Sequence, residues 1–431
     1  MSRILIIGGG IAGTAAALAL RKAGREAVVF EAHPRTGQDI GAFLTLASNG
    51  MRALIQTGAA EAVAGFGLTR MQIVDGAGAE VADVPLGEHG HPLAGYRCMR
   101  RAELTSALQA EARRRGIEIR HGARLTSVKE SDAGVTAAFA DGSSASGDLL
   151  IGADGLGSTT RSLIDAAAPG PRFAGQRVFY GYTTAAAPPS APERITMIRG
   201  SAAAFGYTVS PSGETFWFAR VSGEPASARE IAETTPAQWR ERLVPLLRRD
   251  ATPAADIVAA TGAELMLTNA WDLPLGLRWR TGRTLIIGDA AHAASPATGQ
   301  GASMALEDAV VLAKALRETG THAPEAALET YERLRRPRVE RNIVVSGRLT
   351  GGGPPAGGRS GGPGVEAGRA SGEGPSGGPG SRPGEGSGGG PNGSAARPAQ
   401  APDRRPGAPD EELIRLLDWD LPLPAADNLT S

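Results

Sequence analysis

The chain has 431 residues, 41% of them hydrophobic, and its 45 Lys+Arg balance its 45 Asp+Glu. That length is enough for a sizeable core and two intertwined domains. The zero formal charge excludes the basic footprint of a nucleic-acid or anionic-membrane binder. Cys98 is the one cysteine, so an internal disulfide is excluded. No run reaches the roughly 18 uninterrupted apolar residues of a membrane span. The expectation is a cytoplasmic protein.

The first predicted element is a strand over residues 4–7, ending in Gly8-Gly9-Gly10-Ile11-Ala12-Gly13 and an alanine-rich helix over 14–23. Gly8, Gly10 and Gly13 fit G-x-G-x-x-G, in which the glycines permit the tight turn, close approach to a pyrophosphate, and helix–strand packing. The helix N-terminus adds free N–H groups and partial positive charge. A second strand over 27–30 ends at Glu31, where the ribose hydroxyls of a dinucleotide belong. The pattern predicts a dinucleotide site.

A hairpin over 71–86 turns at Asp75-Gly76. A helix over 101–115 follows, then strands over 118–121, 125–129, 135–139 and 148–153, the last entering Gly152-Ala153-Asp154-Gly155. Between about 176 and 272 the texture becomes aromatic and strand-like, with runs at 178–182, 204–209 and 215–221. Tyr180, Tyr182, Phe205, Tyr207, Phe216, Phe218 and Arg220 are therefore candidates for a pocket wall, or plain core. Alternation puts Phe216, Phe218 and Arg220 on one face and Phe205 with Tyr207 on one face. Near 283 the strand–turn–helix pattern returns as Arg283-Thr284-Leu285-Ile286-Ile287-Gly288-Asp289, with helices over 302–317 and 325–347. His292 reads as a hydrogen-bonding or packing residue. His89 and His91 lack the partners of a metal site, and no metal is expected.

Residues 351–400 hold twenty Gly and eight Pro, with no aromatic residue. Such a segment cannot offset its ordering entropy and is predicted disordered. It is either a tether or a local reading-frame artefact of GC-rich coding DNA. A short amphipathic helix resumes over 409–419.

Three motifs now stand in order: the glycine fingerprint, Asp154-Gly155, and Gly288-Asp289 with Pro296 and Gly299-Gln300-Gly301. Together with Arg101 before Glu103-Leu104, they make residues 1–345 resemble the class A flavoprotein monooxygenases of the para-hydroxybenzoate hydroxylase fold. The resemblance implies an α/β fold: a Rossmann-like FAD/NAD(P)-binding domain (1–70, 97–175 and 273–347), interleaved with a mostly antiparallel substrate domain (71–96 and 176–272). A linker at 350–408 and a C-terminal helix and tail at 409–431 complete it. It implies tightly bound, non-covalent FAD, held by Gly8, Gly10, Ile11, Ala12, Gly13 and Glu31 at the ADP half. Asp289 takes the ribityl hydroxyls, Arg101 the middle of the cofactor, and Pro296, Gly299, Gly301 and Ala302 the flavin ring. Asp154 and Gly155 link FAD and NAD(P)H binding.

The implied activity uses NADPH or NADH as transient reductant. A C4a-hydroperoxide formed with O2 then hydroxylates or epoxidises an aromatic, polyketide-like or isoprenoid small molecule. The alternatives are a dehydrogenase or reductase on the same fold, and a non-catalytic flavin-binding protein. A monomer or homodimer is expected. One departure is the bulky Phe43 in the stretch 41–49, where relatives are glycine-rich and aliphatic before an Asn.

Overall fold

Alternation along the first strand separates two cores. In Arg3–Ile7, Ile4 and Ile6 join one apolar cluster while Leu5 and Ile7 join another, on the opposite sheet face. The computed structural model describes residues 3–35, 42–87, 91–319, 324–351 and 410–425. The described residues belong to one folded unit.

Arg3–Ile7 is central in a five-stranded parallel sheet, ordered Thr284–Ile286, Leu149–Gly152, Arg3–Ile7, Glu26–Glu31, Glu118–His121. Both faces are covered, as a parallel sheet requires. One face packs helices Ile11–Lys22 and Gly301–Glu318; the other packs the antiparallel strands Leu125–Ser131, Gly134–Phe139 and Ser144–Gly147. The α/β class is as expected. The first helix starts at Ile11 rather than 14, because Gly10 already serves as its N-cap.

A seven-stranded sheet follows the order Leu265–Asp272, Arg172–Thr183, Thr215–Ser222, Ala204–Val209, Arg194–Arg199, Arg70–Asp75, Glu80–Pro85. Within it only Arg194–Arg199 and Arg70–Asp75 run parallel. One face is covered by helices Pro236–Leu247 and Ala254–Ala259, which the aromatic texture of the sequence hides. The other face meets a three-stranded sheet of Phe43–Leu46, Tyr96–Arg100 and Phe66–Leu68 through a mixed aromatic cluster. Helix Pro324–Thr350 runs through Pro337. The C-terminal helix is Glu411–Leu417, and Leu413, Leu417 and Trp419 enter the main core. The segment predicted disordered lies, but for residue 351, outside the described residues, as do His89 and residues 36–41.

Candidate functional site

Each glycine of the fingerprint meets a separate steric demand. Gly8 has φ +104°, and a Cβ there would overlap the Ala153 carbonyl. A Cβ on Gly13 would overlap the Gly8 carbonyl oxygen. At Gly10 a Cβ would meet nothing within 4 Å, so this backbone faces open space. That space is a cavity of about 1200 Å³ along the carboxyl ends of the parallel strands.

Gly8, Gly10, Ile11, Ala12, Glu31, Arg101, Asp154, Gly155, Asp289, Pro296, Gly299, Gly301 and Ala302 all line it. Gly13 lies behind this wall as a packing residue. Two helices direct their first turns into the cavity, Ile11–Lys22 and Gly301–Glu318. Neither has a side-chain cap or an acidic residue in its first turn. Their free N–H groups and positive dipole ends favour negative charge at both places. A dinucleotide with a pyrophosphate and an anionic ring edge fits this pair of vacant donors.

Glu31 accepts the Gly9 N–H at 2.7 Å and the His33 N–H at 2.8 Å. Its carboxylate is thus aimed by the backbone, with lone pairs left for hydroxyl donors. Gln109, to which no motif points, is buried and donates to the Gly9 carbonyl at 2.6 Å. Asp154 acts on its own loop. It accepts from Ser158 Oγ at 2.5 Å and from the Thr160 N–H at 2.9 Å, holding the turn into helix Thr159–Ile164.

Asp289 opens a four-residue helical turn, Asp289–His292. Beneath it is a buried charge network that no sequence motif announces. Asp308 receives the Gly288 N–H, His292 Nε2 and Arg335 Nε; Glu307 receives Arg335, Arg338 and Asn49. His292 is 5% exposed and serves as a hydrogen-bonding residue. His91 Nδ1 accepts the Leu93 N–H at 3.2 Å. Cys98 is buried, and burial pushes its thiol up, away from the reactive thiolate.

Strand register sorts the aromatic candidates. Tyr180 pairs with Phe218, Tyr182 with Phe216 and Val178 with Arg220, so all six share one face. Tyr180, Phe218 and Arg220 line the cavity. Tyr182 and Phe216 do not: they pack behind Phe43, at ring distances of 6.4 and 5.7 Å, and Arg100 lies 4.2 Å over Tyr182. Phe205 and Tyr207 require a correction. They sit with Trp217 on the opposite face, under helix Pro236–Leu247, because period-2 alternation turns them away. Phe43 itself lines the cavity while 6% exposed.

Arg220 is the unusual side chain of this wall. Its Nε and Nη1 are buried without a hydrogen-bond partner among the described residues. Burial lowers its pKa, and Tyr180 opposes that shift. Burial likewise pushes the Tyr180 phenol up to about 12, so it keeps its proton at neutral pH. Together they offer N–H and O–H donors to an anion between the apolar rings.

The chain belongs to the FAD binding domain family, whose profile matches residues 1–346. Within it the chain is an FAD-dependent monooxygenase of class A, with FAD as its cofactor. It is 32% identical over 348 residues to a 3-amino-4-hydroxybenzoate 2-monooxygenase of Streptomyces cremeus, covering 78% of this chain and 84% of that protein. It is 32% identical over 362 residues to an FAD-dependent urate hydroxylase of Mycolicibacterium vanbaalenii, covering 80% and 87%. The crystal structure of Klebsiella pneumoniae HpxO complexed with FAD and uric acid superposes with a TM-score of 0.70. The identity there is 28%, over 81% of this chain and 88% of that one. Among the described residues, no helix is long and apolar enough to cross a membrane.

Proposed function

We propose that the chain is an NAD(P)H-dependent monooxygenase that hydroxylates a small, anionic aromatic or heteroaromatic molecule, with Arg220 as its anchor. The observation that carries this is the half-buried Arg220, whose Nε and Nη1 are buried with no hydrogen-bond partner among the described residues and which lines the same cavity as Pro296 and Gly301. Leaving buried donors of this kind unpaired costs about 1–3 kcal/mol, which an arriving anion offsets. The named relatives act on a benzoate and on urate, which fits the same charge.

Gly8, Gly10, Ile11, Ala12 and Glu31 hold the ADP half of FAD, Asp289 its ribityl chain, and Pro296, Gly299, Gly301 and Ala302 its ring. Gly13 packs the helix against the strand behind the ADP half. Arg101, Asp154 and Gly155 lie along the middle. Bound FAD supplies the redox chemistry, taking a hydride from NAD(P)H and activating O2 for transfer of one oxygen atom. The protein does the rest. Arg220 and the Tyr180 O–H orient the substrate by its negative group. Phe43 and Phe218 exclude water from its apolar face. The residues 71–96 and 176–272 form the substrate side, and 1–70, 97–175 and 273–347 the cofactor side.

The test is NAD(P)H oxidation and ¹⁸O₂ incorporation across a panel of aromatic acids and their neutral amides. Acids are expected to accelerate NAD(P)H oxidation and gain one labelled oxygen. Arg220→Gln is expected to raise KM for the acids by about tenfold or more, from loss of a charged hydrogen bond. Equal turnover of acids and amides by both proteins would refute the anchor.

A further inference from the structure

We propose that Gln300 is a polar contact for the edge of the flavin ring, presented as a hydrogen-bond donor because Glu307, acting through Asn49, fixes which end of its amide faces the cavity. This rests on the cofactor placement proposed above.

The chain of orientation begins at a buried charge. Glu307 is fully buried, and Arg335 Nη1 and Arg338 Nε lie 2.5 and 2.8 Å from its Oε2. Burial opposes ionisation, yet these guanidinium groups hold the carboxyl below its ordinary range. An ionised carboxylate only accepts hydrogen bonds. Asn49 lies 2.6 Å from Glu307 Oε1, so the amide nitrogen of Asn49 must face it. The second hydrogen of that nitrogen reaches Gln300 Oε1 at 3.0 Å. The Gln300 oxygen is thereby turned inward. A flipped Gln300 would set N–H against N–H.

What remains of Gln300 is its Nε2, which has no partner among the described residues, while the residue lines the cavity beside Pro296 and Gly301. The spacing is rigid. A Cβ on Gly50 would come within 2.7 Å of Ser303 Oγ, so the helix carrying Asn49 and the one following Gln300 touch directly. The Ala47 N–H donates to the same Ser303 Oγ at 3.2 Å. Two amide hydrogens are thus added to an uncapped helix N-terminus. A ring that gains negative charge on reduction is stabilised by donors aimed there in advance. Gln300 is the contact and Asn49 and Glu307 are positioning residues.

The experiment is a redox titration of the FAD-loaded full chain, with FAD dissociation measured in parallel, for wild type, Gln300→Glu and Asn49→Leu. Gln300→Glu keeps the shape but turns an acceptor to the cavity; a more negative midpoint potential is expected. Asn49→Leu removes the lock and lets the amide turn; an intermediate shift is expected. A purely packing role for these residues would loosen FAD without moving the potential. Wild-type potentials in both FAD-loaded variants overturn the proposal. A failure of the cofactor placement itself reads differently: Asp289→Ala would then retain FAD as tightly as wild type.

Discussion

Asp308 Oδ2 accepts two donors from the loop that carries Asp289: the Gly288 N–H at 2.9 Å and His292 Nε2 at 2.6 Å. Its other oxygen takes Arg335 Nε at 2.7 Å. One buried carboxylate therefore fixes the turn from strand Thr284–Ile286 into the cavity wall. Asp308→Ala leaves Arg335 Nε without its acceptor while Glu307 still pairs with Nη1, and losing such a charged hydrogen bond costs about 1.5–3 kcal/mol. Denaturant unfolding is expected to show that loss, together with faster release of FAD. A variant as stable as wild type would show that Asp308 is dispensable.

The same group sets an acid limit. Burial opposes it, but His292 and Arg335 hold the Asp308 carboxyl down to about 2. Its contribution is complete above the ordinary aspartate range near 3.8 and is lost as pH falls toward about 2. Unfolding curves between pH 5 and 2 are expected to steepen less in Asp308→Asn, provided that variant folds at neutral pH.

Asp289 carries a separate expectation. In the placement proposed above Asp289 accepts the ribityl hydroxyls, and losing a charged acceptor of that kind costs about 1.5–3 kcal/mol. Asp289→Ala is expected to weaken FAD binding about tenfold to hundredfold, read by flavin fluorescence on dilution.

Phe43 closes the wall between the cavity and Tyr182–Phe216. Phe43→Ala is expected to destabilise by about 3–5 kcal/mol through cavity formation. Water entering behind the substrate is also expected to raise H2O2 release per NAD(P)H consumed. A coupled, fully stable variant would place the wall elsewhere.

Lys314 is buried on helix Gly301–Glu318, and its Nζ donates to the Leu416 carbonyl at 2.8 Å and also to that of Asp418. Arg317 donates to the Trp419 carbonyl, and Lys22 lies 4.5 Å over the Trp419 ring. Burial lowers the Lys314 pKa to about 8. Below that pH the folded state carries the full cost of a buried ammonium. Between about 8 and the ordinary 10.5 the folded state sheds a proton that the unfolded chain keeps, so this group's contribution to stability rises with pH. Lys314→Met is expected to remove that rise in melting temperature. A chain ending at residue 351 is expected to melt lower than the full chain at every pH.

The glycine-lined end of the cavity was legible because its demands are local. Gly8, Gly13 and Asp289 serve a strand-to-helix turn, and a turn is written in consecutive residues. The substrate wall was half legible. Alternation grouped Phe216, Phe218 and Arg220 correctly, but which face meets the cavity depends on helix Pro236–Leu247 covering the other, and nothing near Phe205 or Tyr207 announces that. The Asn49–Gln300 contact joins residues 251 apart, and Lys314 meets Leu416 across 102. Such pairings are products of the finished fold.

The docked C-terminal segment also bears on how much of its sequence is matched to the rest of the chain. A slip of one or two nucleotides within the Gly/Pro-rich codons would replace every residue after it with unrelated ones. Instead Leu413, Leu417 and Trp419 fill the core, and backbone carbonyls meet the buried Lys314 encoded far upstream. The residues from 410 onward are therefore complementary to a core and a buried cation that the chain places far upstream of that stretch.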